Sequence, residues 1–151
     1  MSGDAPMRNY AATLPAPEFS EPAFTTPVAL QDATVAIVTS AALHRPDDES
    51  FHQTETDYRV LPREERGYVL GHWSPNFDRA GFTADLNVVF PIDRLEELAA
   101  DGTIGAVSDI HLSFAGNQEE DGLATIIHDS GPRAAAELKA AGVDVVLLTP
   151  V

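Results

Sequence analysis

The sequence predicts an α/β fold in which helices cover both faces of a mostly parallel sheet, and three stretches carry that prediction. Thr34 to Ser40 (TVAIVTS) is β-branched and apolar, the composition of a strand, and ends in small polar residues. Pro91 opens a helix over Ile92 to Ala100, in which Ile92, Leu95, Leu98 and Ala99 recur at helical spacing, and Gly102 closes it. Lys139 to Val151 (KAAGVDVVLLTPV) reads as a helix end, a turn at Gly142 and a strand. The near-continuous apolar run Val143, Val145, Val146, Leu147 and Leu148 has the pattern of a parallel strand covered on both faces. Strand, helix and strand in this order argue for right-handed crossovers and a three-layer fold of the Rossmann-like or flavodoxin-like kind. In such sheets ligands bind beyond the carboxyl ends of the strands, which is where Ser40 and Thr149 fall.

Taken in order, the elements divide into an arm, residues 1–32, and a domain, residues 33–151. The arm holds Pro6, Pro15, Pro17, Pro22 and Pro27, enough to forbid a helix of useful length and to favour extended chain. Its Tyr10, Phe19 and Phe24 are candidate anchors for a partner subunit. Residues 41–71, with clustered charges, Pro46 and Pro62, read as irregular, and loops longer than about 12–15 residues tend to be functional or disordered. Residues 104–114 are strand-like but broken by Gly105, Ser108 and Asp109, and 116–122 form an acidic loop. Leu123 to His128 is a short strand candidate. Ser130 is placed to cap a helix over Arg133 to Ala141, with Pro132 in its first turn.

Composition narrows the function. With 24 acidic and 9 basic residues the chain carries a formal charge of −15, so its field repels phosphate backbones and anionic membrane surfaces. Nucleic acid and membrane are therefore not expected as partners. The N-terminus lacks a basic stretch followed by an apolar core, and no apolar run reaches the roughly 20 residues of a membrane span, which predicts a cytoplasmic protein. The absence of cysteine excludes disulfides, thiolate metal sites and a cysteine nucleophile within these residues.

Several side chains could carry chemistry. His44, Asp47, Asp48 and His52 lie within nine positions but match no defined metal-ligand spacing, and a solvated loop is the better reading; no metal site is expected. Asp78 and Arg79, preceded by His72 and Trp73, could bind a carboxylate-bearing ligand through the guanidinium fork or simply tie a loop down. His111 could act near neutral pH, or be a buried histidine bonded to backbone. Ser40 and Thr149 lack a nucleophile elbow and suit hydrogen bonding at the sheet edge. No glycine-rich phosphate fingerprint follows the first strand, which removes the simplest dinucleotide reading.

Five segments together resemble the selenoprotein B component of glycine, sarcosine and betaine reductases and its D-proline reductase relatives. They are VAIVTSAALH (35–44), SPNFDRAGF (74–82), FPIDRLEELAADGTIGAV (90–107), HLSFAG (111–116) and DSGPRAAAELKAAGVDVVLLTPV (129–151). The resemblance implies reductive cleavage of a carbon–nitrogen bond in a small amino acid or its N-methylated derivative. It implies Ser40, His44, Asp78, Arg79 and His111 as substrate-edge residues, with Arg79 on the substrate carboxylate. Other reductase subunits, a thiol or selenol carrier protein and an oligomeric assembly are the partners it implies. A selenocysteine or cysteine nucleophile is expected immediately after the strand matching Val143 to Thr149, where a helix N-terminus would stabilise its anion. These residues contain no such group. The resemblance thus predicts an in-frame UGA read as a stop, the nucleophile just after Val151, and a fold incomplete at its C-terminus. The alternative is a non-catalytic ligand-binding or subunit-assembly module of the same fold.

Overall fold

A computed structural model describes residues 4–13, 25–74, 77 and 79–151. Its strands are β1 (Thr34–Thr39), β2 (Leu43–His44), β3 (Tyr58–Pro62), β4 (Val69–Leu70), β5 (Ala106–Val107), β6 (Ile110–Phe114) and β7 (Val145–Thr149). Its α-helices are α1 (Asp4–Ala11), α2 (Arg79–Ala84), α3 (Ile92–Ala100), α4 (Glu120–Thr125) and α5 (Gly131–Ala140).

β1 is the centre of the sheet. Val35 is paired with both Val107 and Val145, and Val38 with both Leu112 and Leu148, so β7 runs along one edge of β1 while β5 and β6 share the other. All three run parallel to β1. β3 pairs antiparallel with β6, completing the order β3–β6–β1–β7. Pro62 ends an outer strand, the place in a sheet where a missing N–H is tolerated. A separate two-stranded ribbon pairs β2 with β4.

The period-2 alternation of β1 separates two cores. Val35 and Ile37 face Phe90, Ile92 and Leu95, the last two on α3. Ala36 faces Leu112, Ala134 and Leu138, the last two on α5. Helices thus lie on both faces of a mostly parallel sheet, and the three-layer α/β prediction holds. The bounds of β1 and α3 match the sequence reading closely. Gly102 and Gly142 take φ of +80° and +78° after α3 and α5, the left-handed geometry that ends a helix cheaply with glycine.

Five expectations need correction. Pro6 does not prevent a helix, because it lies in the first turn of α1, where the N–H it lacks has no intrahelical partner. Tyr10 on α1 is exposed, while Phe19 and Phe24 lie outside the described residues. Within 41–71, the strand β3 was hidden by its flanking charges and by a half-exposed burial pattern. Leu123 to His128 is helical: α4 runs into a π-turn, Ile126–Ser130, and directly into α5. Pro132 has no N–H to offer the carbonyl four residues back and its ring crowds that carbonyl, so a widened turn before it lets the helix continue. Ser130 consequently makes no cap; its hydroxyl donates to the Thr56 carbonyl at 2.6 Å. Finally, β7 is not covered on both faces. It is an outer strand whose Val146 and Leu147 are each 38% exposed and Leu148 69%.

Candidate functional site

The carboxyl ends of β1, β6 and β7 come together. Ser40 N–H donates to the Thr149 carbonyl at 3.3 Å, and the Val151 N–H donates to Ser40 Oγ at 3.0 Å. Thr149 Oγ1 donates to the Val89 carbonyl at 3.1 Å, tying β7 to the segment before α3. Ser40 and Thr149 are therefore edge hydrogen-bonders, as their sequence context suggested. Ala42 and Asn117 have φ of +53° and +59°, and among the described non-glycine residues they are the ones with a left-handed backbone. Both follow strands of the central sheet at this end, and strain of this kind tends to collect at functional sites.

A cavity of about 540 Å³ opens beside these strand ends, lined by His72, Ser74, Phe77, Val88, Val89, Asn117 and Val151. Phe77 stacks on the His72 ring with centroids 4.8 Å apart, and Trp73 stacks beside it at 6.0 Å. His72 is only 4% exposed. Its Nδ1 accepts the Ser74 N–H at 3.2 Å, and its carbonyl accepts from Arg79 Nη2 at 2.6 Å. Its Nε2 is buried without a hydrogen-bond partner. Burial, and then the nearby Arg79 charge, hold its pKa below the ordinary imidazole range, and the Val151 backbone offsets part of this by favouring the charged form.

The five sequence-predicted residues do not all meet here. Ser40 lines a separate apolar recess beside β7 and meets this cavity only through its hydrogen bond with Val151, and Arg79, in the first turn of α2, fixes the His72 backbone. His44 is buried on β2, its Nδ1 2.8 Å from the Arg45 carbonyl. His111 is fully buried on β6 and accepts the Ile37 N–H at 2.9 Å. Asp78 lies outside the described residues. Nor do His44, Asp47, Asp48 and His52 converge: Asp48 accepts the Arg45 N–H, and exposed His52 pairs with Glu49. Among the described residues no group of three or more His, Cys, Asp or Glu side chains is placed to share a metal ion. Nor does any helix among them have the length and apolarity to cross a membrane.

Sequence reasoning missed His72, Asn117 and the apolar wall of Phe77, Val88 and Val89. The His72–Trp73 pair stood out only as a neighbour of Asp78. Nothing local marks it as buried, because its burial depends on the distant Gly116, whose missing side chain leaves room for the ring.

In α/β domains small molecules commonly bind beyond the carboxyl edge of the parallel strands, which is where this open, mainly apolar cavity lies. The particular family is set by comparison. Residues 6–151 match the model of the glycine/sarcosine/betaine reductase selenoprotein B family, and the chain belongs to that family. It is 34% identical over 121 residues to the D-proline reductase subunit gamma of Acetoanaerobium sticklandii, covering 80% of this chain and 49% of the relative. It is 30% identical over 150 residues to the glycine reductase complex component B subunit gamma of Carboxydothermus hydrogenoformans, covering 93% and 33%. It is 29% identical over 149 residues to the betaine reductase complex component B subunit beta of Peptoclostridium acidaminophilum, again covering 93% and 33%. The chain thus spans between a third and a half of the length of these relatives. No solved structure matches it.

Proposed function

We propose that the chain forms the substrate-holding part of a reductase-complex subunit that cleaves a carbon–nitrogen bond in a small amino acid or N-methylated derivative, of the glycine, sarcosine, betaine or D-proline type. The observation that carries this reading is the cavity at the end of β7, lined by Val151, beside the position where the family resemblance puts the redox nucleophile. A selenol or thiol must be supplied from outside these residues, since they contain no cysteine. The resemblance puts it directly after the strand matching β7. Other reductase subunits and a thiol or selenol carrier protein would complete the cycle.

In this reading Arg79 supplies positive charge for the substrate carboxylate in an otherwise acidic chain, with Asp78 as its neighbour. Ser40 holds the strand ends in register beside the cavity, while His44 and His111 are buried in the domain interior, His111 against Phe90. The test is product release by the assembled complex given a dithiol reductant and each of glycine, sarcosine, betaine and D-proline, the product being ammonia or an amine from the first three and a ring-opened amino acid from D-proline. Release from one of them, with its Michaelis constant raised about tenfold or more by Arg79→Ala, is expected, the loss of one charge-assisted contact being on the order of 1.4 kcal/mol.

A second reading, a non-catalytic assembly module, is favoured by the exposed Val146, Leu147 and Leu148 of β7, which would suit a subunit contact. It predicts a complex that binds the amino acid but forms no cleavage product with any reductant.

A further inference from the structure

We propose that the outer edge of β7 is an interaction surface for a second copy of this chain, the two β7 strands pairing antiparallel about a two-fold axis at Leu147. This goes beyond the reductase reading and does not depend on it. Among the described residues β7 pairs with β1 alone. The Thr149 carbonyl accepts from the Ser40 N–H and the Val151 N–H donates to Ser40 Oγ, so residues 149 and 151 turn their backbone groups toward β1. Backbone direction alternates along a strand. Val146 and Leu148 therefore turn their N–H and carbonyl groups outward, as does Pro150, which has no N–H to offer. The free donors of this edge, at Val146 and Leu148, flank Leu147 evenly.

That spacing makes the strand its own complement. In an antiparallel pair centred on Leu147, Val146 of one copy lies opposite Leu148 of the other, and the two exchange N–H and carbonyl. Both free donors are satisfied, and Pro150 falls beyond the last of these bonds. The side chains agree with this register. Val146 and Leu148 share the sheet face of Ala36 and Val38, so the exposed pair from each copy meets there, while Leu147 meets its own counterpart on the other face. Charge also favours a second copy at this place. The net charge of −15 opposes self-contact over most of the surface, but residues 145–151 carry no charged side chain. Asp144, the carboxylate next in sequence, falls opposite Pro150 rather than opposite itself, and it already accepts the Thr34 N–H at 2.9 Å.

The experiment uses the whole chain, which contains no cysteine, so one introduced thiol reports on one position. Leu147→Cys sets two thiols directly opposite in a non-hydrogen-bonded pair, with Cα atoms about 4.5 Å apart and within disulfide reach. Val146→Cys sets them on a diagonal of roughly 7–8 Å, at the limit of that reach. With diamide as oxidant, Leu147→Cys is expected to form covalent dimer about tenfold or more faster than Val146→Cys. Circular dichroism verifies that both variants are folded. For the unsubstituted chain, sedimentation equilibrium is expected to show monomer and dimer, and hydrogen exchange at the Val146 and Leu148 amides to slow about tenfold or more as the dimer fills. Sedimentation as a monomer up to millimolar concentration overturns the proposal. So does a dimer in which those two amides exchange unchanged, or equal cross-linking of the two folded variants. Slow exchange at both amides at every concentration also overturns it, and assigns the edge to another polypeptide segment.

Discussion

At the residue scale, His111 shows how a group with catalytic chemistry can be given over to the fold. Opposite β1 the register shifts by two residues between β5 and β6: Thr34 pairs with Ala106, an offset of 106 − 34 = 72, and Val38 with Leu112, an offset of 112 − 38 = 74. Ser108 and Asp109 are the extra residues. Beside this break, Ile37 N–H finds its acceptor in His111 Nδ1 rather than in a strand carbonyl. The ring is fully buried and edge-on to Phe90, with centroids 5.2 Å apart. Burial, reinforced by Arg63 and Arg66, lowers its pKa to about 4. The unfolded chain therefore takes up a proton near the ordinary imidazole pKa while the folded chain does not. The stability His111 contributes is fully present above about pH 6.5 and is lost as pH falls from there to about 4, a loss on the order of 3 kcal/mol. His111→Gln keeps an acceptor for Ile37 and does not titrate. Urea midpoints at pH 7.5 and pH 5 should fall by more in the unsubstituted protein than in this variant. Equal falls would show that the titration lies elsewhere.

At the element scale, the passage from α4 to α5 turns on two residues. Pro132 favours the π-turn, and Gly131 permits it, since a Cβ there would lie 2.5 Å from the Ile126 carbonyl oxygen. Gly131→Ala is expected to destabilise the fold by about 2 kcal/mol, a steric clash with backbone that cannot move aside. Pro132→Ala combined with it should recover part of the loss by letting the segment return to ordinary α-helix, and a thermal melt of the two variants decides this. The same junction anchors α5 to β3. Ser130 reaches the Thr56 carbonyl, and Tyr58 OH donates to Glu137 at 2.7 Å, with burial first and Glu137 second pushing the phenol up to about 12. A sequence pattern of apolar residues at 123, 126 and 127 fits a strand as readily as an exposed helix face. Only the continuity with α5 decides between them.

At the scale of the whole molecule, the sheet has one well-protected outer strand and one exposed. β3 carries charge and a proline, devices that discourage edge pairing. β7 offers neither. Its exposed Val146, Leu147 and Leu148 adjoin a second apolar recess of about 250 Å³, lined in part by Phe114, Ile126, Leu148 and Pro150. The chain by itself is expected to associate through this surface. Leu148→Lys, which adds a charge at the most exposed of the three positions, should shift light-scattering mass toward the monomer without lowering the melting temperature. An unchanged mass would place self-association at another surface.

The sequence alone determined the elements whose signals are local. β1 and α3 follow from β-branched composition, helical spacing and Pro91, and the ends of α3 and α5 from glycines that take positive φ at low cost. It also determined the family, because several short segments kept their order and spacing along the chain. Tertiary structure decided what depends on residues distant in sequence meeting in space. It put β7 at an edge, although an apolar run looks the same at the centre of a sheet and at its border. It put His111 into the ladder, because the break at Ser108 and Asp109 left Ile37 without a strand acceptor. It built the cavity around His72, because the cavity needs Gly116, Phe77 and the end of β7 together, and burial is a property of that assembly rather than of any one stretch of chain.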